Sequence, residues 1–330
     1  MENELLFQMQ NAFPLTQRPF EVIAKELDTS EEEILSMVQK LKDEKIIRQT
    51  SAIFDTKRLG YKSSLVAFKV DEDKIDNAAN VINAHPGVSH NYLRNHDYNI
   101  WFTMAVAPDS QFGLERTIEI LKERAGASDA IILPTLKMFK ISVKMDTTGK
   151  RAKKEKLKIL AHKELRLTAK RVAVIKELQK DIEVTAEPFK AATIKLGLSY
   201  EEFFEIAKEL KESGVMRRFA TILNHRKAGF GANAMSVWAV PEEQGETIGK
   251  EMAEFSAVSH CYLRPSYPNW PYNLFAMVHA KTQEECDTLI EEMAKESGLT
   301  EYGKLYSTVE FKKQRLVYFD DAFRAWEEAV

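Results

Sequence analysis

Two seven-residue phrases hold most of the chemistry-bearing side chains of this sequence. Val88-Ser89-His90-Asn91-Tyr92-Leu93-Arg94 returns as Val258-Ser259-His260-Cys261-Tyr262-Leu263-Arg264, with Asn91 exchanged for Cys261. On an extended strand, His, Tyr and Arg at i, i+2 and i+4 project from one face. Each phrase then lines up a group that exchanges protons near neutrality, a phenol and a permanent cation. A Tyr-Asn pair follows each phrase, as Tyr98-Asn99 and Tyr272-Asn273. Between phrase and pair the copies differ. The first has Asn95-His96-Asp97, and the second has Pro265-Ser266-Tyr267-Pro268-Asn269-Trp270-Pro271. Tyr267 and Trp270 among prolines make a stiff aromatic loop suited to stacking on a flat ligand. His96 is either a further acid or ligand, or a surface partner of Asp97.

The elements that must position these rows are duplicated too. Arg18-Pro19-Phe20 pairs with Glu187-Pro188-Phe189 and Leu59-Gly60-Tyr61 with Ala228-Gly229-Phe230. A repeat of this period means two homologous modules rather than a solenoid. Apolar spacing predicts helices over 18–28 and 30–45, with Thr29 or Ser30 as N-cap, and again over 188–196 and 199–213, closed by Gly197 and Gly214. A short hairpin follows each pair, over 46–54 and 215–223, which makes a winged helix-turn-helix. Strands over 64–70, 87–94, 98–107 and 130–145, with helices over 73–84 and 110–124, give the order βαββαβ. That order is ferredoxin-like, with both helices on one sheet face and the other face open to a partner or ligand. Strands near 232–240, 256–263, 272–281 and 302–315 repeat it. The fold class is therefore α+β, a tandem duplication of a winged helix-turn-helix plus a ferredoxin-like domain. Its boundaries fall at 1–58, 59–148, 149–227 (which includes a charged, helical linker over 150–156) and 228–330. The tail 319–326 reads as an amphipathic helix docking on its own fold.

Composition narrows the function. A chain of 330 residues calls for two or more domains, and 44% hydrophobic with 29% charged residues is the balance of a water-soluble globular protein. No apolar run approaches the length of a membrane span, and the acidic start Met1-Glu2-Asn3-Glu4 does not resemble a signal peptide. Two cysteines, Cys261 and Cys286, make no disulfide framework, which fits a cytoplasmic protein, and no Cys or His pair has zinc-site spacing. A net charge of −3 predicts no bulk attraction to polyanions, so any anion must be met by local clusters.

Winged helix plus ferredoxin-like sheet is similar to the leucine-responsive/asparagine-operon (Lrp/AsnC) regulators. The phrases Ser-His-Asn-Tyr-Leu-Arg and Ser-His-Cys-Tyr-Leu-Arg-Pro, with Tyr98-Asn99-Ile100-Trp101-Phe102-Thr103 and Trp270-Pro271-Tyr272-Asn273-Leu274-Phe275-Ala276-Met277, resemble the two subunits of the sirohaem decarboxylase family, here fused. The resemblance covers nearly the whole chain. It implies loss of CO2 from the C12 and C18 acetates of sirohaem, giving 12,18-didecarboxysirohaem. It implies no organic cofactor, since the iron tetrapyrrole is its own electron sink; haem is a further possible ligand. Partners implied are sirohaem and, downstream, enzymes of haem or haem d1 synthesis. The fused halves would form an internal pseudo-heterodimer, either a monomer or a dimer of fusions.

Sirohaem has eight carboxylates, and arginine binds carboxylate bidentately without deprotonating. Arg94 and Arg264 in the rows, and Arg48, Arg217 and Arg218 where each wing begins, are the candidate clamps. Arg217 and Arg218 cannot both point inward from an extended segment. His260 and His90 are candidate acids, since an imidazole with an ordinary pKa of about 6.5 can deliver a proton to the carbanion left by CO2. Either is equally a candidate axial ligand of the tetrapyrrole iron. Tyr92, Tyr262, Tyr267, Trp270, His96 and His225 complete the candidate site. The insertion and His225 favour one competent pocket near the second sheet.

Two signals are refused. Gly229-Phe230-Gly231-Ala232-Asn233-Ala234 fits G-x-G-x-x-A, but it precedes a strand instead of following one, so it is no dinucleotide fingerprint. The recognition-helix positions carry Glu31, Glu32, Glu33, Asp43 and Glu44, then Glu201, Glu202, Glu205, Glu209 and Glu212, which repel DNA. The competing readings are a non-catalytic haem-sensing regulator and an amino-acid-responsive transcription factor. The acidic helices oppose the second of these.

Overall fold

The computed structural model describes all residues except 12, 142–163 and 225–231. The predicted linker helix over 150–156, His225 and the glycine turn before Ala232 lie outside the described residues. The first copy runs α1 (Glu2–Asn11), α2 (Pro19–Glu26), α3 (Glu31–Asp43), β1 (Ile47–Phe54), β2 (Lys62–Lys69), α4 (Ile75–Asn83), β3 (Val88–Arg94), β4 (Ile100–Val106), α5 (Gly113–Ala125), β5 (Asp129–Leu133) and β6 (Lys137–Ile141). The second runs α6 (Ala169–Leu178), α7 (Lys190–Leu196), α8 (Tyr200–Glu212), β7 (Met216–Leu223), β8 (Ala232–Trp238), α9 (Gly245–Glu254), β9 (Val258–Leu263), β10 (Leu274–Ala280), α10 (Gln283–Ser297), β11 (Tyr302–Lys313) and α11 (Ala322–Glu328). The described residues form two compact units that regroup the copies. One gathers Met1–Tyr61, Leu160–Ala228 and Val317–Asp320, and the other holds both ferredoxin-like domains.

In the helical unit the predicted helix pairs are present. The Ser30 hydroxyl accepts from the Glu33 amide to start α3, and Ser199 with Glu202 forms a reciprocal capping box on α8. The predicted hairpins are not formed. Each is one unbroken strand, and β1 and β7 pair with each other, antiparallel, from Ile47↔Leu223 to Phe54↔Met216. Neither segment contains the Gly, Asn, Asp or Pro that a tight turn needs. Both therefore stay extended and satisfy their edges on each other.

The sheet unit carries nine strands in the order β5-β2-β4-β3-β11-β8-β10-β9-β6. Each copy has the ferredoxin-like order, β5-β2-β4-β3 and β11-β8-β10-β9, as the sequence predicts. The last strand of the first copy does not run unbroken over 130–145. It stops before Pro134, which cannot donate to a ladder, and restarts as β6 against β9 of the second copy. Reciprocally, the distal half of β11 pairs with β3 of the first copy. Each half thus lends the end of its fourth strand to the other.

Small features secure the exchange. Lys312 Nζ donates to the Asn83 carbonyl (2.8 Å) and Lys140 Nζ to the Phe255 carbonyl (2.9 Å), at the C-terminal ends of α4 and α9, where helix carbonyls favour a cation. The Phe139 ring lies where a Cβ at position 249 would stand, so only glycine admits the crossing strand there. The outer faces of the sheet pack on α4 and α5 in one core and on α9 and α10 in another. The inner faces do not stay open. Ala67, Trp101, Ile131 and Leu133 of the first copy meet Met235, Val237, Phe275 and Leu305 of the second, with Trp270 among them. The tail helix docks as expected, with Trp326 against the first core and 4.3 Å from the His85 ring.

Candidate active site

Both rows form as predicted. His90, Tyr92 and Arg94 on β3, and His260, Tyr262 and Arg264 on β9, face away from their own helices, on the side that carries Trp101 and Phe275. The alternate residues Leu93 and Leu263 pack against the helix cores. In both strands a bulge at the phrase serine, Ser89 or Ser259, precedes the histidine. A bulge puts two residues opposite one and re-aims a side chain, so serine and histidine can meet on one side.

The arginines are not presented as carboxylate clamps, which corrects the expectation for Arg94 and Arg264. Arg94 is 5% exposed and donates from Nη1 to the Leu305 carbonyl at 2.7 Å; Arg264 is 8% exposed and donates to the Leu133 carbonyl. Both carbonyls belong to the fourth strand of the other copy. Each guanidinium also lies over its row tyrosine, 5.5 Å above Tyr92 and 4.9 Å above Tyr262. Burial pulls both guanidinium pKa values down to about 10. The row arginines therefore latch the strand exchange and support Tyr92 and Tyr262 from behind.

The histidines differ in what stands behind them. Ser89 Oγ lies 3.0 Å from His90 Nδ1 and 2.7 Å from Thr103 Oγ1. Ser259 Oγ lies 2.7 Å from His260 Nδ1 and 2.7 Å from His279 Nε2. His279 occupies the position that Ala105 holds in the first copy, each amide bonding the matching carbonyl, Ala257 or Gly87, at 3.0 Å. Sequence reasoning passed over His279. Alternation on 272–281 places it on the face of Met277, but only the bulge brings Ser259 to it, and a bulge leaves no mark in the residue pattern.

Cross-strand neighbours differ as well, and paired residues share a face. In the first copy Tyr92 and His90 pair with Glu310 and Lys313, which form an ion pair at 3.7 Å. In the second, Tyr262 and His260 pair with Met138 and Ile141 on one side and Phe275 and Met277 on the other. Met138 and Ile141 are 43% and 44% exposed beside the half-buried imidazole.

The insertion is a staple, which corrects the expectation that Trp270 stacks on ligand. Trp270 is 0% exposed, packed against Trp101 and Tyr272 (both 5.1 Å) and against the predicted site residue His96 (5.1 Å). Tyr267 and Trp270 bond each other through their backbones, and the Tyr267 hydroxyl donates to the Ile132 carbonyl on β5. Asn269 donates to the Asp129 carboxylate, which also accepts from the Tyr98 hydroxyl. Desolvation and that carboxylate push the Tyr98 phenol up to about 12. His96 accepts the Tyr98 amide on Nδ1, and burial lowers its pKa.

The other predicted cations lie in the helical unit. Arg217 is paired with Asp55 at 2.8 Å, and Arg48 is exposed on β1. Arg218 is half-buried with no hydrogen-bond or ion-pair partner among the described residues, and burial together with Arg217 lowers its pKa. Arg94 and Arg264 likewise have no carboxylate partner among the described residues, and the Nε of each is buried without a hydrogen-bond acceptor. Two surface clefts on this unit, one lined by Glu187 and Lys190 and one by Lys170 and Glu202, hold none of the predicted site residues.

Strand order and site together define a tandem protein of AsnC-like ligand-binding domains with helix-turn-helix segments. Profiles agree: the AsnC-like ligand binding domain matches residues 58–140 and 227–312, and the siroheme decarboxylase NirDL-like HTH domain matches 2–48 and 172–217. The chain is 41% identical over 324 residues to "Siroheme decarboxylase" of Hydrogenobacter thermophilus, covering 98% of this chain and 96% of that one. Over 142 residues it is 46% identical to "Siroheme decarboxylase beta subunit" of Methanosarcina barkeri, which spans 43% of this chain and 93% of the subunit. A crystal structure of the siroheme decarboxylase NirDL in co-complex with an iron-uroporphyrin III analogue superposes with a TM-score of 0.80 at 37% identity, covering 99% and 98% of the two chains. The chain belongs to the sirohaem decarboxylase family, with both halves on one polypeptide.

Proposed function

We propose that the protein removes CO2 from the C12 and C18 acetates of sirohaem, giving 12,18-didecarboxysirohaem, and that the second row is the seat of the chemistry. The observation that carries this reading is the His260 ring, backed by Ser259 and His279 and bordered by Met138, Ile141, Phe275 and Met277. A tetrapyrrole has a flat apolar body and a rim of carboxylates. Apolar neighbours favour the body by about 25 cal/mol per Å² covered. Loss of CO2 leaves an electron pair on the methylene carbon, which the conjugated macrocycle delocalises and a proton then quenches. An imidazole at His260 is suited to deliver that proton at neutral pH. With the macrocycle as electron sink the step needs no organic cofactor.

The test is anaerobic incubation with sirohaem, followed by the mass of the tetrapyrrole. Loss of two CO2 units is expected. Tight binding with unchanged mass would instead make the protein a tetrapyrrole sensor. With haem bound, loss of the axial-ligand spectrum in His90→Gln alone or in His260→Gln alone identifies the residue that binds iron.

A further inference from the structure

Each decarboxylation consumes a proton: the bond between methylene and carboxylate breaks, CO2 leaves, and the methylene becomes a methyl group. A single imidazole that gives up its proton must be reloaded before the second acetate reacts. The second row contains a built route for this. Ser259 Oγ sits 2.7 Å from His260 Nδ1 and 2.7 Å from His279 Nε2, with the serine itself 8% exposed.

A hydroxyl has one proton to give and lone pairs to receive. With His260 acting from Nε2, the Ser259 hydroxyl can donate to Nδ1 while accepting from His279 Nε2–H, which charges the ring from behind. The proton count then closes. Ser259 passes its proton to Nδ1 of a neutral His260 and takes one from His279. The imidazolium so formed gives its Nε2 proton to the carbanion, and His279 recovers a proton from solvent. The Nδ1–H tautomer left at His260 returns to the Nε2–H form through water before the second acetate reacts. No oxidant or co-reactant enters.

We infer that His279 is the proton-supply residue for His260, acting through the Ser259 hydroxyl. The inference rests on the reading of His260 as the acid. The first copy shows what the device requires. Its serine and histidine stand in the same geometry, but Ala105 occupies the His279 position and Ser89 turns to Thr103, a hydroxyl that does not titrate near neutrality. On this stretch of the face His279 has His260 as its titratable neighbour, across the Ser259 hydroxyl. Its register partner on β8 is Asn233, Lys140 on β6 turns to the Phe255 carbonyl, and Lys304 on β11 is paired with Asp287 and Glu291.

The experiment compares anaerobic single-turnover decarboxylation of sirohaem, across pH and with added imidazole, in wild type, His260→Gln, His279→Gln and His279→Ala. The carboxamide introduced by His279→Gln can still donate to Ser259 but cannot titrate. His260→Gln should lose at least about 100-fold in rate. His279→Gln should lose about 10-fold or more, with KM unchanged and the pH limb belonging to this histidine removed. Imidazole should restore His279→Ala. An inactive His260→Gln beside a His279→Gln of wild-type rate and pH profile overturns the relay and leaves the acid assignment intact. A slow His279→Gln with an unaltered pH profile, and no imidazole rescue of His279→Ala, means support by shape alone and also overturns it. An active His260→Gln overturns the acid assignment itself.

Discussion

The two rows share a frame and differ in chemistry. Both sit on a second strand that receives the end of the other half's fourth strand, both follow a serine bulge, and both are braced by a buried arginine on a carbonyl of the other half. Around that frame, the first row has Thr103 and a Glu310–Lys313 ion pair, while the second has His279 and apolar neighbours. Duplication therefore supplied two positioned histidines, and substitution on neighbouring strands set them apart. The differences that matter are not inside the repeated phrase.

Grafting the first row's neighbours onto the second is the strongest way to break the contrast. Met138→Glu with Ile141→Lys should weaken haem binding by about 100-fold, the loss of roughly 100 Å² of apolar cover plus the desolvation of two charges. The reverse graft, Glu310→Met with Lys313→Ile, should leave turnover within about threefold, the scale of an ordinary surface substitution. Absorbance titration and tetrapyrrole mass read both, and unchanged affinity in the first graft removes the reason for preferring the second row.

The shared frame is tested through the arginines. Arg94→Met and Arg264→Met each strand a buried carbonyl, at about 1–3 kcal/mol, and should cost the two copies alike. In calorimetry that is a drop of about 2–4 °C for each kcal/mol. Melting like wild type with collapsed turnover would return these residues to the role of substrate clamps.

A smaller contrast lies under the tail helix. The first copy has buried His85 where the second has Phe255, and burial, with Lys312 nearby, lowers the His85 pKa to about 3. An unfolded histidine titrates near 6.5, so between these values the unfolded chain binds a proton that the folded chain refuses, and stability falls as pH drops through that window. His85→Phe should spare about 1–2 kcal/mol of the stability lost between pH 7 and pH 5. Denaturant unfolding at both pH values measures it, and an unchanged pH dependence would place the acid sensitivity elsewhere.

Much of this was legible in the sequence because it rests on local pattern. The helix pairs follow apolar spacing opened by Ser30 and closed by Gly197 and Gly214, and the rows follow strand alternation. What escaped reading depends on pairing between distant segments. No turn residue marks the wings, so whether 46–54 and 215–223 fold on themselves or on each other is decided in three dimensions. Pro134 hints at the break between β5 and β6, but nothing local says that β6 joins the other half. The arginine row looked like a carboxylate site because its residue types fit one, and only the crossing strands reveal the carbonyls that occupy it. Trp270 looked like a stacking plate because prolines stiffen its loop, whereas here the loop folds back among the inner-face residues of the two copies.

The central claim is that one row does the chemistry. The most direct measurement is the mass of the tetrapyrrole after a single anaerobic turnover by His90→Gln and by His260→Gln, each shown to be folded by its melting curve. The account predicts that His90→Gln still yields the product lacking two CO2 units, while His260→Gln returns sirohaem unchanged. Full conversion by His260→Gln, or equal impairment of both variants, would contradict it.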